Sequence, residues 1–337
     1  MSSTPHMPFD AVYYEPAVLE LPLGKQLQQQ FSELQWFPIE SHNRIPEMQQ
    51  KENKEFARMK RFLIIGQRKT HKYVENQKIS DWLVPYTSSG CSAMCLYCYL
   101  VCNYNKCAYL RLFVNREQML DRLIKHSYGR REEQTYEIGS NSDLILENTI
   151  TGNLPWTIER FAKEGRGHLT FPTKFDMVDP LLSLDHRGKT IFRMSVNPNK
   201  IISKIELKTS PLSARIKAIN RMCDAGYPTG ILIAPVIFVE GWEQLYDDLL
   251  TRLSDELSDK VKSQLFIEVI FMTYSYVHRA INKEAFPHAT ELFDPELMTG
   301  RGRGKYSYKT EPREKGEELL KKWIEERLPN ARIIYFC

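Results

Sequence analysis

The chain has 337 residues, 42% hydrophobic and 26% charged, a composition that suits a globular protein with a sizeable core and excludes a disordered or fibrous one. Its net charge of +4 admits an anionic partner without requiring one, and no run of about 18 apolar residues offers a membrane span. The opening "MSSTPHMPFD" has neither the basic region nor the apolar core of a signal peptide. Seven clustered cysteines read as thiolate ligands in a reduced, cytoplasmic protein rather than as a disulfide framework.

In chain order, residues 1–80 hold a helix at 25–34, a Gln- and Lys-rich stretch and an apolar strand at 62–65, and read as an N-terminal extension. From residue 81 short β-rich runs alternate with longer amphipathic ones. Strands are expected at 82–86, 135–138, 169–173, 190–196, 230–238 and 265–272, with helices at 116–125, 154–163, 211–225, 243–262 and 276–285. Within 211–225, Leu212, Ile216, Ile219 and Met222 recur at helical spacing, Ser210 stands as N-cap and Gly226 as terminator. Near-continuous apolar strands such as "GILIAPVIF" suit a parallel sheet covered on both faces. Six such βα units over 81–292 predict an α/β fold, a partial (β/α)6 TIM-like barrel with its chemistry at the C-terminal ends of the strands. Residues 293–337 break the pattern with a β-hairpin, a helix at 315–327 and a terminal strand, "ARIIYF".

The first barrel strand runs directly into "GCSAMCLYCYL", which delivers Cys91, Cys95 and Cys98 to that face. Clustered thiolates serve structural zinc or iron–sulfur clusters. Structural zinc usually draws on two Cys-x2-Cys pairs, and no second pair is present, although Cys102 or Cys107 could close a tetrad. In the hairpin "TGRGRGKYSYK", Arg301, Arg303 and Lys305 can contact phosphates, and Tyr306 or Tyr308 can stack on or wedge between bases.

The spacing Cys-x3-Cys-x2-Cys, with Tyr97 before the third cysteine, resembles the radical S-adenosylmethionine superfamily. Further segments, "VYYEPAVLELPLGKQL", "FPTKF", "FRMSVN", "AGYPTGILIAPVIFVEGWE" and "PNARIIYF", resemble the spore photoproduct lyase family over nearly the whole chain. The resemblance implies a 4Fe–4S cluster on the three cysteines with one iron open to S-adenosylmethionine (AdoMet). It implies repair of the thymine lesion 5-thyminyl-5,6-dihydrothymine in damaged DNA, through a 5′-deoxyadenosyl radical that takes hydrogen from the lesion. Tyr97 and Tyr99 match tyrosines that relay the radical, and Ser142, Lys174, Ser195 and the backbone of Ala234 match positions lining the cofactor and lesion pocket. The hairpin matches one that enters DNA, and access to a base in a duplex calls for flipping it out. A flavodoxin- or ferredoxin-type electron donor and a place in the spore core of a spore-forming bacterium are also implied.

Three departures stand out against that family. Ser140, in "YEIGSNSD", occupies the position of the usual hydrogen-donating cysteine, which leaves Cys102 and Cys107 as the nearest thiols in sequence. Phe271, Met272 and Thr273 stand where the family carries a polar run at the end of the sixth strand, and the hairpin lacks a tyrosine between its first arginine and the next glycine. The alternative is a related radical enzyme with a different nucleic-acid or small-molecule substrate.

Overall fold

The computed structural model describes residues 9–103 and 109–337, except for the side chains of Cys102 and Asn103; the Cys102 thiol and all of Cys107 lie outside the described residues. The chain divides into two compact units, Met1–Ser92 with Leu100–Phe171, and Ala93–Tyr99 with Pro172–Cys337.

In the first unit, Ala11–Tyr14 lies between Gln35–Pro38 and Phe62–Gly66, parallel to both. Arg111–Phe113 continues the sheet in parallel, and Ser88–Ser89 closes it antiparallel. The apolar runs "AVYY" and "FLIIG" are buried along almost their whole length, and Val12, Leu63, Ile65 and Leu112 share a core with Leu27 of the Pro22–Gln30 helix. Strands of the 1–80 segment therefore pair with a strand from the region expected to belong to the barrel. Trp82–Leu83, Thr135–Glu137 and His168–Thr173 run parallel in that spatial order. The first of these ends earlier than its apolar pattern suggests, two residues short of Pro85, which has no N–H for a ladder. A helix absent from the sequence expectation, Leu144–Thr151, is capped by the Asp143 carboxylate on the Leu146 amide and closed by Gly152 at φ +62°.

In the second unit, Thr190–Val196, Thr229–Val236, Phe266–Phe271 and Arg332–Phe336 form a parallel sheet in that order. The helix Leu212–Asp224 starts later than expected. Pro211 is its N-cap, and Ser210 instead donates to Asp176 at 2.5 Å. It ends as expected at Gly226, φ +90°, where the Tyr227 and Gly226 amides donate to the carbonyls of Met222 and Cys223 in a Schellman turn. The expected helix 243–262 is two helices, Trp242–Glu256 and Asp259–Gln264. Leu257 is extended, and Ser258 caps the second helix through the Val261 amide. The final helix, Thr310–Arg327, begins five residues before the expected start at 315. Met298–Gly302 and Lys305–Tyr308 form the hairpin, and Thr273–Ser275 adds a third antiparallel strand. Arg303 at φ +50° and Gly304 at φ +70° make its two-residue turn, the primed geometry that matches strand twist.

Candidate active site

In the first unit, the segment leading to Cys91 is bonded to the turn that carries Ser140 and Ser142. The Gly90 amide donates to the Asn141 carbonyl at 2.8 Å. Ser88 Oγ lies 2.7 Å from Ser142 Oγ and 2.5 Å from Glu147 Oε2. A hydroxyl has one hydrogen, so against a carboxylate Ser88 donates to Glu147 and accepts from Ser142. Thr87 Oγ1 and Asn153 Nδ2 donate to the same buried carboxyl, at 2.9 and 3.0 Å. Burial pushes the Glu147 pKa up, and these neutral donors only partly offset it. The buried Lys60 ammonium donates to the Cys91 carbonyl at 2.6 Å.

In the second unit, Met94–Cys95 pairs antiparallel with Glu206–Leu207. The carbonyls of the cysteine loop are held from one helix, Tyr276–Ala285. Asn282 Nδ2 donates to Leu96 O at 2.7 Å, and His278 Nδ1 lies 3.1 Å from Cys98 O. A carbonyl only accepts, so Nδ1 of His278 carries the hydrogen. Cys95 and Cys98 of this unit, and Cys91 at the end of the first unit's 1–92 segment, are half-buried thiols outside any disulfide. Thiols are the donor type that an iron–sulfur cluster takes. Among the described residues, no group of three His, Cys, Asp or Glu side chains forms a site for a single metal ion.

Three of the four expected cofactor residues converge in this unit. Lys174 Nζ donates to Ser195 Oγ at 2.6 Å and to the Ala234 carbonyl at 3.0 Å, and Ser195 Oγ donates to the same carbonyl at 2.9 Å. All three lie at or just past the C-terminal ends of parallel strands, where the barrel reading puts them. Ser142 belongs to the other unit and is bound as described above. Sequence reasoning missed Glu206. Its Oε1 accepts from the Tyr97 hydroxyl at 2.5 Å and from Asn197 Nδ2 at 3.0 Å, and its Oε2 meets Arg215 at 2.8 Å. Burial raises the Glu206 pKa, but Lys174 and Arg215, then the Tyr97 and Asn197 hydrogen bonds, bring it down to about 2. Burial foremost, then the Glu206 charge, pushes the Tyr97 phenol well above its ordinary range. Tyr99 is 49% exposed.

Arg301, Arg303 and Lys305 are exposed along the hairpin. Tyr306 is held between Tyr276 and Phe293, with ring centroids 4.2 and 4.0 Å away, and Arg279 donates to its hydroxyl at 3.3 Å. Tyr308 is buried against the second unit's core, and its hydroxyl accepts from the Phe238 amide at 2.9 Å, so Tyr306 is the more exposed of the two tyrosines. Phe271 and Met272 are core residues, Phe271 packing edge-on against Phe238, and Thr273 opens the third strand of the hairpin sheet.

The family model described as spore photoproduct lyase matches residues 6–337. A spore photoproduct lyase of Bacillus subtilis (strain 168) is 34% identical over 333 residues, covering 96% of this chain and 97% of that protein. Two solved structures are similar at 30% identity and a TM-score of 0.90, each covering 98% of this chain and 100% of theirs. One is a spore photoproduct lyase with a cysteine replaced by alanine; the other carries bound AdoMet and dinucleoside spore photoproduct. The partial TIM-like barrel expected from the βα pattern is thus the fold of this chain.

Proposed function

Because this chain belongs to the spore photoproduct lyase family, we propose that it is the enzyme that returns 5-thyminyl-5,6-dihydrothymine to two thymines by radical AdoMet chemistry. The observation that carries this is the match over residues 6–337, in a chain that spans 97% of its curated relative and resembles a structure holding both AdoMet and the dinucleoside lesion. The cofactors are AdoMet and a 4Fe–4S cluster, and Cys91, Cys95 and Cys98 are the thiolates that hold the cluster. When bound, cluster and AdoMet together supply the radical that opens the lesion.

The chain's own residues position and protect. Lys174, Ser195 and the Ala234 carbonyl contact AdoMet, with Ser142 as a further contact. Tyr97 and Tyr99 relay hydrogen, and with Ser140 unable to donate, Cys102 or Cys107 supplies the hydrogen that completes the second thymine. Arg301, Arg303 and Lys305 hold phosphates of the damaged strand next to Tyr306. A flavodoxin- or ferredoxin-type protein of the cytoplasm supplies the electron.

The test is anaerobic incubation of the reconstituted, reduced protein with dinucleoside spore photoproduct, with and without AdoMet. Loss of lesion only when AdoMet is present supports the function. Cleavage of AdoMet with the lesion untouched would overturn it in favour of a related enzyme with another substrate.

A further inference from the structure

Glu206 is 1% exposed and sits on a two-residue strand, outside every segment the motifs single out. One carboxylate nevertheless touches two of them. Its Oε1 takes the Tyr97 hydroxyl at 2.5 Å and lies 3.7 Å from Lys174 Nζ. The carboxylate cannot swing freely. Arg215 pairs with Oε2 by charge at 2.8 Å, Asn197 Nδ2 donates to Oε1 at 3.0 Å, and Asn197 is fixed in turn by the Tyr246 hydroxyl at 3.0 Å.

Charge balance for Arg215 alone does not require this arrangement. The guanidinium meets only Oε2 and also donates to the Ser210 and Ser195 carbonyls and to Thr209 Oγ1. The second oxygen is left for the phenol, the amide and the ammonium. Lys174, held near that oxygen, aims its own hydrogens at Ser195 and Ala234. The orientation of a side chain that contacts a cofactor is commonly fixed by such outer partners.

We propose that Glu206 is a positioning residue that sets the Tyr97 hydroxyl and the Lys174 ammonium from one rigid carboxylate, joining the hydrogen relay to the cofactor contact. This rests on the function proposed above. Glu206 itself neither gains nor loses a proton in this role; it orients the two groups that act.

The test compares Glu206→Gln, Tyr97→Phe and the double variant as reconstituted holoenzymes. AdoMet affinity is measured by equilibrium dialysis, and deoxyadenosine formed per thymine restored is measured in turnover. Glu206→Gln is expected to weaken AdoMet binding about tenfold and to raise the deoxyadenosine-to-thymine ratio, while Tyr97→Phe raises the ratio with affinity within about twofold of the parent. The double variant should show the ratio of Glu206→Gln alone, since both changes act on the one hydrogen bond between Tyr97 and residue 206, which an amide oxygen accepts more weakly than a carboxylate. Unchanged AdoMet affinity in Glu206→Gln, or ratio effects that multiply in the double variant, would overturn the proposal. Should Glu206→Gln fail to fold because Arg215 loses its countercharge, Glu206→Asp keeps the charge and withdraws the oxygen from Tyr97. It is then expected to match Tyr97→Phe in product ratio, and a parental ratio would overturn the proposal. If the substrate is a different one, no variant consumes the lesion, yet the AdoMet affinities still decide the role of Glu206.

Discussion

Ser140 shifts a chemical task to another side chain. An alcohol O–H bond is much stronger than a thiol S–H bond, so a serine cannot give hydrogen to a carbon radical as a cysteine does. With Cys102 and Cys107 as donors, the Cys102→Ala/Cys107→Ala double variant should convert lesion mainly to adducts, and adding Ser140→Cys should restore thymine. Clean thymine from the double variant, read by mass spectrometry, would remove both loop thiols from the mechanism. Glu147 gives a second handle on the same turn. Its pKa is raised by burial, so its contribution to stability is fully present below the ordinary carboxyl value and is lost as pH rises through the folded-state value. In Glu147→Gln that decline should vanish. Urea unfolding across a pH series should show the stability of the parent falling relative to the variant with rising pH, and parallel profiles would contradict this.

Among the elements, the parallel sheet of the second unit depends on a buried ion pair that crosses a strand. Arg193 donates to both oxygens of Glu268 at 3.0 and 2.8 Å, and between their strands runs Thr229–Val236, with Gly230 in register with Arg193. A Cβ at Gly230 would meet the Phe266 ring at 2.1 Å, so the glycine is required by close packing. Arg193→Met leaves Glu268 buried without its cation and should cost about 3–5 kcal/mol in urea unfolding. A loss under about 1 kcal/mol would mean that water or another group compensates. Such strands were legible because continuous apolar runs mark parallel strands covered on both faces. The Leu144–Thr151 helix was not, since it is two turns long and buries polar residues such as Glu147, Asn148 and Thr151 together with its apolar ones, so that no amphipathic period marks it. Nor was the break at Ser258, where one cap outweighs an otherwise helical pattern. At the site, three thiols and their spacing could be read directly. Lys174, Ser195 and Ala234 needed a resemblance, and Glu206 could not be found either way, because its bond to Tyr97 joins residues 109 apart.

At the scale of the whole molecule, a net charge of +4 is too small to explain the proposed binding of DNA, which is therefore assigned to the local patch on the hairpin. Replacing Arg301, Arg303 and Lys305 by alanine should flatten the dependence of log affinity on log salt by about three units for duplex DNA. An unchanged slope would place the phosphate contacts elsewhere. Acid stability is a second global property. Glu15, raised by burial but brought to about 2 by hydrogen bonds from His42 and Gln67, and Glu206, also near 2, both lie below the ordinary value of 4.5. Each contributes stability that is present above the ordinary carboxyl pKa and lost as pH falls through the folded value. Glu15→Gln should therefore unfold at a higher pH than the parent in an acid titration followed by circular dichroism. The most direct test of the whole remains product stoichiometry in one anaerobic reaction, with restored thymine dinucleoside and 5′-deoxyadenosine quantified together from the dinucleoside lesion. Lesion loss matched by restored thymine is the predicted result. Deoxyadenosine accumulating while the lesion persists would contradict it.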